Sequence, residues 1–507
     1  MSNAVATTAP NGARQRAVTG VVALGFLGAV LVALGSLGVG WLAVGSPLNR
    51  WRWLVPWRVE MPGVFASVVI LTVGVWVMYV AWLRLGRLLR PWGTSLKELW
   101  IASVLWSVPL LLAVPIFSRD VYAYIGQGRI VLGGGDPYLE SISSVPNWLQ
   151  LGADVNWAES QTAYGPLFYW LAAGVVSVTG LAVEPAILLF RILAWGGIAL
   201  TLVYVPKLAA LHQVNGVKAT WITVANPFFL LSFVASAHND ALMVGLSVAA
   251  VYYAAKRRGV LAIVLLVASV GIKPITLVLL PFIGLLWAGP RASWPRKILF
   301  WALSAILAIG LCAVMGLPGG FGFGWVSATL SAGGGYLVWF APLGIFAGAL
   351  IGVTGGLGLD SGWVLPVVQL LGRLAALGII AILLFRGSYS RLVQRMLLGF
   401  TALVVLSPVV QPWYLLWLLP FFAATGIRDD WQLLWVYATV AFFIAFGCFD
   451  QVFLWQFNME WKPLVQLASI ATSVLCLLGL LVFSRRLRTE VSELIPRARW
   501  ARWWSKG

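Results

Sequence analysis

The chain has 507 residues, of which 61% are hydrophobic and only 10% charged. Soluble domains carry about 25% charged residues, so the composition excludes a water-soluble globular protein and leaves the lipid bilayer as the matching solvent. The formal charge of +18, from 34 Lys and Arg against 16 Asp and Glu, does not imply a nucleic-acid partner: the basic residues sit in short clusters between apolar runs, the pattern that holds positive charge on the cytoplasmic side. Many windows reach the roughly 20 apolar residues that cross a bilayer, and the alternating segments of about 10 residues that mark a β-barrel are absent. The expected fold class is all-α, a polytopic transmembrane helical bundle.

In chain order, the first apolar run, 18–45, follows Arg14 and Arg16. It is too long for the apolar region of a signal peptide and reads as a retained first span. Arg50, Arg52 and Arg58 then alternate with Trp51, Trp53 and Trp57, a pattern that suits an interfacial belt. Runs at 62–83 and 98–117 follow. The cytoplasmic markers are Arg84/Arg87/Arg90/Lys97, Lys256/Arg257/Arg258, Arg291/Arg296/Lys297, Arg386/Arg391/Arg395 and the basic tail 485–507, which is expected to lie on anionic headgroups of the membrane lipids. On this scheme the chain emerges on the outer face at Ser118. The segment 118–164 holds Asp120, Asp136, Glu140, Asp154 and Glu159, five of the 16 acidic residues.

Parity constrains the rest. Residue 164 is outside and 207–218 inside, so only one of the runs 166–182 and 185–206 can span. The shorter run, aromatic at its start, is expected to lie in the outer leaflet. The same argument places a non-spanning helix near 338–354, within a second outer loop, 318–361. The run 260–288 has basic clusters at both ends but is too short for two full spans. It breaks at "GIKP", Gly271 to Pro274, so the expectation is a hairpin of short helices with Lys273 at its outer tip. The run 396–424 breaks at "SPVVQPWY", Ser407 to Tyr414. Broken helices are tolerated in membranes where they are buried in protein or line a wet cavity, and these breaks therefore point to a site. The chain is read as one integral-membrane unit, with 1–97 supplying additional N-terminal spans.

The candidate residues gather at those breaks. Asp120, in "SRDVYAYIGQGRIVLGGGDPYLE", is either half of an interfacial ion pair with Arg119 or a general base at the membrane rim. "SAHNDALM" carries His238, one of two histidines, with Asn239 and Asp240. An Asn or Asp before an apolar run is a common helix cap, but a cap has no need of the imidazole. Lys273 and Arg191 are cations deep in apolar runs, expensive and so functional candidates unless they snorkel to the interface; Arg373 belongs to the same class with less to support it. Tyr164, in "AYGPLFYW", and the aromatic "QPWYLLW" either line a cavity or serve as a turn and a belt. Cys312, Cys448 and Cys476 lie in apolar runs and read as core fillers, and two histidines without a Cys/His cluster argue against structural zinc. One carboxylate, one imidazole and several buried cations on one face suit moving a group off a phosphate. Nucleotides are scarce outside, so the donor should be held by a lipid.

The segments "SRDVYAYIGQGRIVLGGGDPY", "AYGPLF", "NPFFLLSFVASAHNDALMVGL", "GIKP" and "QPWYLLWLLP" together resemble the polyprenol-phosphate-mannose-dependent α-1,6-mannosyltransferases of the actinobacterial lipomannan pathway, members of the GT-C class of membrane glycosyltransferases. The resemblance covers residues 98 to 425. It implies a GT-C core with large outer loops in a bacterial cytoplasmic membrane, a polyprenyl-phosphate-mannose donor, a mannoside or lipoglycan acceptor and inversion at the anomeric carbon. The catalytic aspartate of the class falls on Asp120. Lys273, with Arg191 or Arg129, would hold the donor phosphate, supported by His238. Tyr122, Tyr124, Tyr164, Asn239, Asp240, Gln411 and Trp413 would contact sugar, acceptor or isoprenoid. "RDVY" offers one acid where some members have two and a divalent metal, so the expectation is a metal-independent enzyme without a cofactor. The alternatives are a GT-C enzyme using another polyprenyl-phosphate sugar, or a transporter or flippase of lipid-linked sugars. No second copy of the "RDVY" or "AHND" patterns appears in the C-terminal half, although many transporters are built from two matching halves.

Overall fold

The structure is a computed structural model that describes residues 11–93, 95–159, 164–331, 338, 340–407, 409–450 and 459–494. Among them all regular secondary structure is helical, as lipid demands of a chain that must satisfy its own backbone groups. The principal helices are α1 (Asn11–Val39), α2 (Met61–Leu89), α3 (Lys97–Leu112), α4 (Asp120–Leu132), α5 (Pro166–Thr179), α6 (Val183–Leu211), α7 (Gly216–Thr223), α8 (Asp240–Ala255), α9 (Gly259–Val270), α10 (Leu280–Ala288), α11 (Trp294–Gly316), α12 (Pro342–Gly356), α13 (Val364–Phe385), α14 (Leu392–Val405), α15 (Leu415–Gly426), α16 (Trp431–Asp450) and α17 (Lys462–Phe483). Seven of these, α1, α2, α6, α11, α13, α16 and α17, are long and apolar enough to cross a bilayer, and the chain is a multi-pass membrane protein.

The short helices carry the functional geometry. With 14 and 15 residues, α5 and α12 are about 21 and 22 Å long, below the ~30 Å of a hydrocarbon core. The 260–288 run is two helices, α9 and α10, separated by the break at Gly271–Lys273 and a 3-10 segment, Pro274–Leu279. Helix α7 and the segment 227–235 meet at a 53° bend, and that segment ends in a π-turn over Leu231–Ala235. The run expected to span from 98 to 117 is shorter than that: α3 has 16 residues, contains Pro109 and stops at Leu112. Residues 113–119 are free of helical constraint and lead directly into Asp120. The "GGGY" stretch of the second outer loop lies outside the described residues, as do Arg497, Arg499, Arg502 and Lys506 of the tail.

Packing relies on small residues. A Cβ on Gly74 of α2 would come within 2.7 Å of Gly28 O of α1, and one on Gly28 within 2.8 Å of Gly74 O, the close backbone approach that drives helix association in lipid. Helices α6 and α8 meet the same way: a Cβ on Gly197 would lie 2.1 Å from Ala241 O, and one on Gly245 would lie 2.3 Å from Gly197 O. Ala241 is the second residue of α8, so this contact fixes the depth of the "AHND" turn. The proposed Arg/Trp belt needs one correction. Trp51, Trp53 and Trp57 are exposed, but Arg58 is buried and its guanidinium donates to Leu37 O and Gly40 O at the end of α1. A belt residue would face headgroups; Arg58 instead satisfies terminal carbonyls of a helix. Cys312 and Cys448 are buried and Cys476 half-buried, none in a disulfide, whereas Arg373 sits on the exposed face of α13.

Gly197→Ala should lower the unfolding temperature of the detergent-solubilised protein, with a cost of about 1–3 kcal/mol for forcing α6 and α8 apart. Gly196→Ala, whose Cβ would meet nothing within 4 Å, should leave that temperature unchanged or raise it.

Candidate active site

Two irregular stretches meet at the ends of short helices: residues 113–119 before α4, and 236–239 before α8. Each contains a non-glycine residue in the left-handed region, Phe117 (φ 65°) and Ala237 (φ 58°). Such conformations cost about 1–3 kcal/mol and persist only where the surroundings over-determine them. Ala237 immediately precedes a candidate residue, and Phe117 lies three residues before one. After Phe117, Ser118 Oγ accepts the Asp120 N–H at 3.1 Å and starts α4. After Ala237 comes His238.

These turns bring Asp120 and His238 together. Asp120 Oδ2 faces His238 Nε2 at 3.7 Å, with the carboxylate side chain 24% exposed and the imidazole wholly buried. That distance exceeds a hydrogen bond. His238 Nδ1 lies 2.8 Å from Ser232 O; because a carbonyl only accepts, Nδ1 carries a proton, and burial favours the neutral ring, in which Nε2 presents a lone pair on the side of Asp120. Trp413 stacks on the imidazole, with centroids 4.1 Å apart and planes at 27°. The interfacial pair considered for Asp120 is not formed. Arg119 is instead ion-paired with Asp154 and lies over the Trp41 ring at 4.0 Å. Burial pulls the Arg119 guanidinium below its ordinary pKa, and the Asp154 carboxylate opposes that shift.

Around this pair the polar atoms are incompletely matched. His238 Nε2, both amide atoms of Asn239 and Trp413 Nε1 are buried without a hydrogen-bond partner. Each such atom costs about 1–3 kcal/mol, and native proteins keep few of them. Asn239 does not act as the helix cap its position suggested, since its side chain makes no capping bond. The four atoms offer two donors and two acceptors beside a partly exposed carboxylate, a lining that fits a polyhydroxylated or phosphorylated ligand.

The buried cations behave differently from expectation. Lys273 lies at the break between α9 and the 3-10 segment, and its ammonium is paired with a carboxylate. It is 8% exposed, and its Nζ donates to both oxygens of Asp240 at 2.8 and 2.9 Å. Asp240 Oδ1 also accepts from Trp417 Nε1 at 2.6 Å. The rings of Tyr164, Tyr414 and Trp417 surround the ammonium at 5.5, 5.6 and 5.4 Å. Lys273 is therefore neutralised in an aromatic cage, and Asp240 is its counter-ion, not a sugar contact. Arg191 is 2% exposed and commits four of its five N–H donors to backbone carbonyls, so it is a backbone tie and not a free cation facing the site. Arg129, nine residues along α4 from Asp120, is about 13 Å away along the helix axis and donates to Gly180 O at 3.2 Å.

Among the tyrosines, Tyr122 points away from Asp120, and its hydroxyl donates to Trp41 O. Tyr124 lies on the site side, where its hydroxyl accepts the Asn239 N–H at 3.4 Å and its ring meets Tyr164 and Phe168 edge-on. Burial holds the Tyr164 hydroxyl well above its ordinary pKa, so it stays protonated. Gln411 is partly buried ahead of the turn Pro412–Tyr414. Trp417 and Tyr414 were not singled out, although both lie in the quoted "QPWYLLW" and Trp413 and Trp417 are spaced to share one helical face. Nothing in the sequence marks Trp41 or the Ser232 carbonyl. Among the described residues, no three His, Cys, Asp or Glu side chains cluster to hold a metal ion.

A multi-pass helical protein with a carboxylate, an imidazole and unsatisfied buried polar atoms at facing helix breaks has the frame of a membrane transferase. Comparison with known proteins identifies which one. The sequence model for "Alpha-(1->6)-mannopyranosyltransferase, N-terminal domain" matches residues 22–289, and that for "MptB C-terminal domain" matches 341–482. The chain is 30% identical over 511 residues to a probable alpha-(1->6)-mannopyranosyltransferase of Mycolicibacterium smegmatis, covering 91% of this chain and 88% of that one. It is 32% identical over 330 residues to alpha-(1->6)-mannopyranosyltransferase A of Mycobacterium tuberculosis, where the match spans 64% of this chain and 62% of the relative. Alpha-(1->6)-mannopyranosyltransferase B of Corynebacterium glutamicum is 24% identical over 84% of this chain. No solved structure matches. The chain belongs to the alpha-(1->6)-mannopyranosyltransferase family and is a glycosyltransferase.

The caged pair gives a stability prediction. Lys273→Met or Asp240→Leu alone should destabilise the protein by about 3–5 kcal/mol, because each leaves an uncompensated buried charge, and the double variant should recover much of that loss. A double-mutant cycle on thermal unfolding reads the coupling; strictly additive losses would show that the pair contributes no specific interaction.

Proposed function

We propose that the protein transfers mannose from polyprenyl-phosphate-mannose to a mannoside or lipoglycan acceptor with an α-1,6 linkage, on the outer face of a bacterial cytoplasmic membrane, by a GT-C-type inverting mechanism. The observation that carries the assignment of chemistry is the facing of Asp120 and His238 across 3.7 Å, bordered by buried polar atoms with no partner. Asp120 is partly exposed, and among the described residues no lysine or arginine pairs with it, since Arg119 is held by Asp154. It is therefore the group suited to take the proton from the acceptor hydroxyl as the new C–O bond forms. The bond between the anomeric carbon and the phosphate oxygen breaks with its electrons to the leaving phosphate. The N–H donors of Asn239 and Trp413 suit phosphate oxygens, and the Nε2 lone pair of His238 suits a sugar hydroxyl.

The outer-face assignment rests on α8. Its start, at Asp240, lies beside the site, and its end adjoins Lys256, Arg257 and Arg258. The 16 residues between separate the two ends by about 24 Å, and the basic end belongs in the cytoplasm. Metal-independent turnover is proposed because the donor set at the site is one carboxylate and one imidazole.

Purified protein should transfer radiolabelled mannose from polyprenyl-phosphate-mannose to a short α-1,6-mannoside with or without EDTA. Asp120→Asn should lower kcat by about 10²–10⁴-fold, the usual worth of a positioned general base, while retaining binding of the lipid donor. Full turnover by that variant would remove Asp120 from the mechanism; loss of wild-type turnover in EDTA would overturn metal independence. Asn239→Ala should reduce kcat/KM by about 10- to 100-fold, matching the loss of one or two hydrogen bonds of about 1–3 kcal/mol.

A further inference from the structure

We infer that Arg191 is a positioning residue that sets the separation of Asp120 and His238 by joining the two chain segments that deliver them. From the first third of α6 its guanidinium reaches both segments at once. Nη1 donates to Leu111 O at 2.9 Å and to Ala113 O at 2.5 Å, where α3 ends before the Asp120 stretch. Nε donates to Val234 O at 3.0 Å and Nη2 to Ala235 O at 2.5 Å, where the π-turn ends before the His238 stretch. Both pairs lie at or just past helix ends, where carbonyls lose the amide partner of a continuing helix, although Val234 O also accepts the Ala237 N–H. A planar guanidinium with donors fixed in a fork can serve both pairs together; a lysine ammonium cannot.

The two segments then run on next to each other. One step further along, Ser236 Oγ donates to Ile116 O at 2.7 Å, a second tie between them. One residue beyond each partner of that tie comes the left-handed residue, Phe117 on one side and Ala237 on the other. His238 follows Ala237 directly, and Asp120 follows Phe117 at three residues. Strain at both left-handed positions must be held by neighbours, and Arg191 with Ser236 supplies the bonds that hold it. Arg191 makes none of the contacts expected of a substrate residue. It acts through the backbone, and losing it should let Asp120 drift from His238, whose turn stays anchored at Asp240 by Lys273 and so keeps the donor-facing groups in place. A displacement near 1 Å at reacting groups costs about 10²-fold in rate.

The inference rests on Asp120 being the base. The same molecule contains a matched control. Arg395 is a buried arginine whose guanidinium also donates to four carbonyls, Leu383 O, Leu384 O, Gly387 O and Ser388 O, around the end of α13, remote in sequence from both site turns. The experiment compares Arg191→Lys, Arg191→Gln, Ser236→Ala, Arg395→Gln and Asp120→Asn in the purified full-length chain, measuring thermal unfolding and, at a temperature where each is folded, kcat and KM with polyprenyl-phosphate-mannose and a short α-1,6-mannoside. The expected result is a kcat lowered 10- to 100-fold in both Arg191 variants with KM for the lipid donor unchanged, and a smaller fall, 3- to 10-fold, for Ser236→Ala. Arg395→Gln should unfold at lower temperature yet keep wild-type kcat. Wild-type kcat in folded Arg191→Lys together with an inactive Asp120→Asn would overturn the positioning role and leave the base assignment intact. Full turnover by Asp120→Asn would overturn the base assignment and this inference with it. If neither Arg191 variant folds, Ser236→Ala decides: an unchanged kcat refutes the positioning role.

Discussion

Placing Lys273 and Asp240 together in the apolar interior constrains most of the architecture around the site. Each charge alone would be prohibitive in that setting. Together, with Trp417 donating to the same carboxylate, they fasten three interruptions of regular helix: the turn before α8, the break after α9 and the turn before α15. The interruptions are next to one another because a neutral, hydrogen-bonded cluster is the state in which those charges can be buried. The cluster then gives the neighbouring Asp120, His238 and Asn239 a rigid floor. The charged pair is thus part of the frame, and the reacting groups sit above it with exposed or unsatisfied atoms.

The broken backbone is satisfied by the same economy. Gly165 N donates to Ile272 O at 3.1 Å and Phe168 N to Gly271 O at 2.8 Å, so the open N–H groups at the start of α5 meet the open carbonyls at the end of α9. The short helix α5 and the hairpin of α9 and α10 complete one another's backbone hydrogen bonds. Gly165 permits this approach, since a Cβ there would fall 2.3 Å from Val270 O.

The sequence revealed the class of fold and the neighbourhood of the site because both are written in local signals. Hydropathy and basic clusters announce helices and their orientation, and the interruptions at "AHND", "GIKP" and "QPWY" announce themselves as polar residues in apolar runs. What the sequence did not reveal is pairing. Arg191, Lys273 and Arg129 look alike as cations near apolar residues, yet the first holds carbonyls, the second holds a carboxylate and the third caps a turn at Gly180. Those roles depend on which helix ends face each other, and that information is non-local. Arg58 was misplaced for the same reason, since its partners at the end of α1 lie about 20 residues away in the chain. The early end of α3 was hidden because Pro109 can be accommodated within a helix or end it, and the outcome depends on what the following backbone must reach.

The distribution of the site along the chain has a consequence for how the protein comes into being. Asp120, His238, Asn239, Asp240 and Lys273 all lie within the first matched region, 22–289. Trp413, Tyr414 and Trp417, which cover the imidazole and enclose the ammonium, lie in the second, 341–482. During synthesis the early part reaches the membrane with its buried ion pair open on one side and its histidine uncovered, and it stays so until more than a hundred further residues have been inserted. Neither region alone contains the whole cluster around Lys273 and His238.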